Sequence, residues 1–255
     1  MLEIVRIPCL SDNYVWLVRE PKSGAVAVVD PAEAAPVERE LAARGWRLTH
    51  ILNTHHHGDH VGGNAALKAA TRCTIVGPRA DRERIPGIDV ALGDGDEFAL
   101  GAEAARVFDV PGHTRGHIAF WFAESAALFC GDTMFLMGCG RLFEGTPAQM
   151  WASLGKFKTL PPSTRVYCAH EYTQSNARFA MSVDGANRVL AARTEAVAAA
   201  RARGEATVPG TLGDELATNP FLRADRPELA RAVGVPSGDP VAVFAALRKA
   251  KDTFR

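Results

Sequence analysis

The chain has 255 residues, 47% hydrophobic and 23% charged, as in an ordinary globular protein with room for one large domain or a main domain and a smaller partner. Lys+Arg and Asp+Glu both number 29, so the formal charge is zero and the basic excess of a nucleic-acid binder is missing. The start has no basic residues leading into an apolar run, and no apolar stretch of about 18 residues occurs, so neither a secretory leader nor a membrane span is expected.

In chain order, residues 2–7, 14–18 and 25–29 are short and β-branched, divided by the turns Ser11-Asp12-Asn13 and Lys22-Ser23-Gly24. Residues 37–44 have helical spacing and stop at Gly45. A strand over 48–52 runs straight into a histidine cluster; a helix over 61–70 and a strand over 73–76 follow. The β pattern resumes over 105–110, 118–122 and 128–130, then a helix is expected over 147–157 and a last short strand over 166–168. Past about residue 173 the character changes: 187–204 is Ala- and Arg-rich with helical spacing, 227–233 and 240–251 are helices with Pro near each start, and no strand pattern returns. The expectation is an α/β domain of layered sheets flanked by helices over 1–173, then a small all-helical domain over 174–255. The cysteines, Cys9, Cys73, Cys130, Cys139 and Cys168, are odd in number and form no Cys-x-x-Cys pair. That argues against a disulfide framework or a cysteine-only zinc site, fits a reducing compartment, and leaves each as a small buried hydrophobe.

The strongest signal is Thr54-His55-His56-His57-Gly58-Asp59-His60. If the strand register continues through it, His55 and His57 point one way and grip one divalent cation, while His56 points the other way to pack or hydrogen-bond. Asp59 and His60, where the chain turns into a helix, could reach a second cation. His113, Asp132 and His170 each follow a short apolar strand with a Gly or Ala just before them. Strand ends on one edge of a layered α/β fold converge, so these residues could meet at one site. Imidazole and carboxylate donors suit zinc first, with iron or manganese as alternatives. The expected sets are His55, His57 and His113 on one ion and Asp59, His60 and His170 on the other, with Asp132 bridging. Such ions bring a bound water's pKa to about 7. A lone histidine such as His113 or His170 is more often structural; beside the His-x-His-x-Asp-His run it reads as a ligand. His50 reads as a satisfied core histidine, His117 as a residue behind the ligands, and Asp12, Asp30 and Asp109 as turn or strand-end residues by default, with a hydrogen bond to a ligand histidine as an alternative for Asp30.

The run, with His113, Asp132 and His170 in that order, resembles the metallo-β-lactamase superfamily, which implies an αβ/βα sandwich with the site at one edge between the sheets. Within it, the chain is similar over nearly its whole length to the glyoxalase II, or hydroxyacylglutathione hydrolase, family. The resemblance rests on Ser11-Asp12-Asn13-Tyr14, Gly62-Gly63-Asn64, Gly112-His113-Thr114 with Gly116-His117, Gly131-Asp132-Thr133, and Gly138-Cys139-Gly140-Arg141-Leu142-Phe143-Glu144-Gly145. It extends through Tyr167-Cys168-Ala169-His170-Glu171-Tyr172-Thr173, Asn219-Pro220-Phe221-Leu222-Arg223 and the C-terminal Arg248-Lys249-Ala250-Lys251-Asp252. It implies hydrolysis of S-D-lactoylglutathione to D-lactate and glutathione, the second step of methylglyoxal detoxification, with two divalent metals and with Asp59 and Asp132 as catalytic residues. It places glutathione on Arg141, Phe143, Tyr172, Arg248 and Lys251, where cationic side chains would anchor its carboxylates. Without the resemblance, Arg248 and Lys251 would read as solvated charges on one helix face. Phe143 departs from the Tyr of many members and forgoes that hydroxyl's hydrogen bond. A monomer in the cytoplasm is expected. The rivals are a single-iron persulfide dioxygenase, a lactonase or nuclease of the same fold, and a binding protein that has lost activity.

Overall fold

The computed structural model describes residues 1–236 and 238–254. Ser237 and Arg255, inside the expected helical domain, lie outside the described residues. The chain forms two compact units, Met1–Asp109 with Arg115–Gly131, and Val110–Thr114 with Asp132–Arg255.

In the first unit, β1 (Glu3–Cys9), β2 (Asn13–Arg19), β3 (Val26–Val29), β4 (His50–Leu52), β5 (Thr74–Pro78) and β6 (Val90–Leu92) form a sheet in that order. The first three strands run antiparallel and the rest are parallel. Strands covered on both faces need unbroken apolar runs, and β2 to β5 have them. Val15, Leu17, Val28, Ile51 and Ile75 face Val37 and Leu41 of α1 (Ala34–Arg44) and Leu67 of α3 (Asn64–Thr71). On the opposite face, the His50 ring meets Phe98 edge-on at 5.3 Å, and Phe98 meets Phe120 at 6.3 Å. Those phenylalanines belong to an antiparallel meander of β7 (Glu97–Leu100), β8 (Glu103–Asp109), β9 (Ile118–Phe122) and β10 (Ala127–Gly131). The short α2 (Gly58–Val61) and a 3-10 segment, Arg79–Arg84, complete this unit.

In the second unit, the small hairpin β11 (Met134–Phe135) and β12 (Gly138–Cys139) precedes α4 (Pro147–Phe157). Then come β13 (Arg165–Cys168), α5 (Thr173–Asp184), α6 (Arg188–Ala202), β14 (Gly210–Thr211), α7 (Leu212–Thr218), α8 (Pro227–Ala232) and α9 (Pro240–Thr253). Phe221 is fully buried, stacked on Phe179 at 5.9 Å and edge-on to Phe244 at 5.7 Å.

Several expectations are corrected. β4 starts at His50, not residue 48, and ends at Leu52, so the strand does not carry the histidine run. The expected helix over 61–70 is two helices, α2 and α3, parted at Gly62-Gly63. β14 returns to a strand after residue 173, pairing antiparallel with β13. β6, β7, α5 and α7 gave no clear signal, because each is short or takes its place from neighbours rather than from periodicity. All five cysteines are buried thiols. Among the described residues, no helix is long and apolar enough to cross a membrane.

Candidate metal centre

The first unit carries one donor set. β3 ends at Val29 and the chain turns through Asp30 in the left-handed region, φ 49°. Its buried carboxylate accepts from the Thr54 backbone N–H at 2.7 Å and the Thr54 hydroxyl at 2.7 Å, and lies 3.1 Å from His60 Nδ1. The chain leaving β4 is thereby tied to the end of β3. Thr54 has one hydroxyl proton, and Asp30 takes it. At 3.0 Å, Thr54 Oγ1 is therefore the acceptor of His55 Nδ1–H, so the lone pair sits on His55 Nε2. That nitrogen lies 3.1 Å from His57 Nδ1. Donor atoms of Asp30, His55 and His60 lie within 4.8 Å of one another. Both Asp30 oxygens already serve Thr54, which makes Asp30 a buttress behind the donors, the alternative to the turn role expected by default.

His57 caps α2, and Asp59 and His60 sit inside it. The Gly62-Gly63 break lets α2 rest on the 31–33 turn: a Cβ on Gly62 would come 2.4 Å from the Ala32 carbonyl oxygen. The Asn13 amide donates to the Asp59 backbone oxygen at 3.2 Å and to Asp59 Oδ2 at 3.1 Å. His56 turns to Asp81, with Nδ1 at 2.7 Å from Oδ2. Its nitrogens thus serve a hydrogen bond, while its ring stays edge-on to that of His57 at 4.8 Å, and a loop rather than a strand alternation sets its direction. His117 stacks on His55 at 4.6 Å and gives Nδ1 to the Ile118 carbonyl at 3.0 Å, consistent with a supporting role.

The second unit carries the other set. His113 Nδ1 donates to the Arg141 carbonyl at 2.8 Å, which leaves the lone pair on Nε2. That nitrogen lies 3.4 Å from Asp132 Oδ2, while His170 Nε2 lies 3.4 Å from Asp132 Oδ1. Each carboxylate oxygen thus faces a different imidazole, the disposition a bridging ligand needs. Gly140 is required here, since a Cβ would fall 2.0 Å from the Asp132 carbonyl oxygen. Buried imidazoles and carboxylates with defined lone pairs fit borderline divalent cations in both units.

Around the second set lie the expected substrate residues. Phe143 is 62% exposed, yet its ring stands 5.2 Å from that of His113. Tyr172 stacks parallel on His170 at 4.8 Å, meets Phe135 edge-on at 5.2 Å and is partly exposed. Arg141 is exposed. Arg248, by contrast, is 6% exposed: it donates to the Cys139 carbonyl at 2.8 Å, pairs with Asp252 at 2.9 Å and covers the Phe221 ring at 5.1 Å. The solvated-charge reading fails for it, because Cys139 offers a buried acceptor. Lys251 is half-buried and donates to Ser175 Oγ at 3.0 Å. Burial, and then the positive fields of Arg248, Arg178 and Arg141, push its pKa down, with Asp252 opposing. Sequence reasoning missed Asn13 and Asp81. Asn13 sat in a turn signal and in a stretch shared with the family, neither of which gave it a role, and Asp81 sat in an arginine-rich stretch with no pattern.

The model of the metallo-beta-lactamase superfamily matches residues 10–170, and that of the hydroxyacylglutathione hydrolase C-terminus matches 171–254. A hydroxyacylglutathione hydrolase of Methylococcus capsulatus is 62% identical over 255 residues, covering 100% of both chains. One of Rhodospirillum rubrum is 55% identical over 99% of each. The chain belongs to the hydroxyacylglutathione hydrolase family. Members of this family share the metallo-β-lactamase fold, and this chain has it, with α/β sheets and a helical C-terminal part. Among solved structures, ETHE1 from Myxococcus xanthus is similar in fold, with TM-score 0.68, 23% identity, and coverage of 98% of this chain and 90% of the other. TTHA1623 in a di-iron-bound form has TM-score 0.61 and 26% identity, with coverage of 86% and 100%. Family membership makes this chain a metal-dependent hydrolase.

Proposed function

We propose that the chain cleaves S-D-lactoylglutathione and related 2-hydroxyacyl thioesters to the hydroxy acid and glutathione. The observation that carries this reading is the pairing of two donor sets with a family whose curated members bear that activity in their names. His55, His57 and His113 would hold one divalent cation, Asp59, His60 and His170 a second, and Asp132 would join them. Zinc is the first expectation, with iron or manganese as alternatives. When bound, such ions supply Lewis acidity and acidify a water to a pKa of about 7.

The chain's own residues supply the rest. Asp59, held by Asn13, accepts a hydrogen bond from the attacking water and orients it towards the thioester carbonyl. Asp132 sets one carboxylate oxygen against His113 and the other against His170. The leaving thiolate needs no general acid, since a thiol has a pKa of only about 8.5. Tyr172 and Phe143 offer exposed ring faces to the substrate, and Arg141 and Lys251 offer cationic groups to glutathione's carboxylates. Arg248 belongs to the same end, chiefly by holding Cys139 and α9 in place. A boundary near residue 173 would divide catalytic from substrate-binding parts, in line with the two family-model matches. A cytoplasmic monomer remains the expectation.

The deciding experiment is steady-state hydrolysis of S-D-lactoylglutathione with metal content measured on the same sample. Turnover with about two metals per chain is the expected result. Full metal loading without turnover would move the substrate elsewhere in the superfamily.

A further inference from the structure

We infer that Asp81 is a positioning residue for the metal-ligand loop, holding His55 and His57 in place through the side chain of His56. The inference rests on the metal reading above.

Asp81 lies at a break in the 3-10 segment Arg79–Arg84, with φ −113° and ψ 21°, and is 5% exposed. Its Oδ2 is 2.7 Å from His56 Nδ1, and its Oδ1 accepts from Arg84 Nη1 at 3.3 Å. Arg84 Nη2 also meets His56 Nε2. A guanidinium can only donate, so Nε2 is the acceptor and Nδ1 carries the proton given to Asp81. One tautomer and one ring orientation follow. With both nitrogens engaged, His56 is not left free to serve as a ligand, and its fixed ring stands edge-on to that of His57 at 4.8 Å.

Asp81 has a second grip. A Cβ on Gly116 would come 2.3 Å from Asp81 Cγ, so the backbone there runs directly over the carboxylate. The next residue, His117, stacks on His55 at 4.6 Å with an interplanar angle of 17°. One buried carboxylate thus touches both segments that frame His55. Burying it costs desolvation that a merely structural apolar side chain would avoid. What it gives in return is a three-histidine loop ordered before any ion arrives, which spares the ion that ordering cost.

The test uses the full chain loaded with zinc. Asp81→Ala, Asp81→Asn and His56→Phe are compared for zinc transfer to a chromophoric chelator, for kcat and KM with S-D-lactoylglutathione, and for melting of the stripped protein. Asp81→Ala and His56→Phe should each release zinc about 10- to 100-fold faster than wild type. Their kcat should fall while KM stays within about two-fold. Asp81→Asn, whose Oδ1 can still accept from His56 Nδ1, should be intermediate. Combining Asp81→Ala with His56→Phe should add little to either alone, because both delete the same link. Should Asp81→Ala fail to fold, His56→Phe decides alone. Wild-type zinc release and kcat in the folded variants would overturn the role. So would a lower melting temperature with unchanged zinc release per folded molecule. A wild-type protein that takes up no zinc would instead overturn the metal reading, and this inference with it.

Discussion

Asn13 is 5% exposed, and its amide donates to the Asp59 side chain at 3.1 Å and backbone oxygen at 3.2 Å. Without that amide the Asp59 carboxylate is free to rotate, and on the proposed mechanism it would lose its hold on the attacking water. Asn13→Ala should therefore lower kcat about 10-fold or more with KM little changed, in steady-state kinetics; unaltered kcat would remove Asn13 from the machinery. Lys251 gives a pH prediction. Burial first, then Arg248, Arg178 and Arg141, disfavour its ammonium, so it loses its proton below the ordinary lysine range. Only the ammonium attracts a carboxylate, so KM should rise with pH earlier than an unperturbed lysine would cause. In Lys251→Arg the charge persists and the rise should vanish. A wild-type KM that stays flat across that range would detach Lys251 from the glutathione anchor. At this scale the ligand types were legible in the sequence, since four ligand side chains in one short run announce themselves. Their supports were not: Asn13 and Asp81 lie far along the chain from the residues they hold.

The elements differ in how far they declare themselves. α4 begins where its residues say, with Thr146 and Gln149 forming a reciprocal capping box and Pro147 in the first turn. Thr146→Ala should cost about 1 kcal/mol of stability in chemical denaturation and leave kinetics alone. α2 is the opposite case. Four residues long, it has no periodicity to read; the His57 carbonyl accepts from the His60 and Val61 N–H groups at 2.9 and 3.2 Å, and Gly62 lets the turn lie on the Ala32 carbonyl. The 2.4 Å approach at Gly62 leaves no space for a methyl group against backbone. Gly62→Ala should cost about 1–3 kcal/mol and, by moving Asp59 and His60, weaken metal binding as well. Chemical denaturation with and without a chelator separates the two effects; full stability and full metal affinity together would refute the packing argument.

For the whole molecule, ions bound only by the native state stabilise it by mass action. Stripping them with a chelator should lower Tm by roughly 2–4 °C for each kcal/mol of binding lost, and zinc should restore it. An unchanged Tm after full stripping would mean that the native fold does not depend on the centre. By itself, the sequence determined the α/β class, the apolar strands buried on both faces and the clustering of imidazole and carboxylate side chains over residues 55–60. These follow from local composition, since apolar runs, caps and clustered imidazoles are properties of short stretches of chain. Only the tertiary structure decided that His56 turns to Asp81, that Asp30 serves Thr54, that α2 and α3 part at Gly62-Gly63, and that Arg248 is buried under Cys139 rather than solvated. Each of those is a bond or a close approach between residues distant in the chain, and no local pattern encodes which distant partner a side chain will meet.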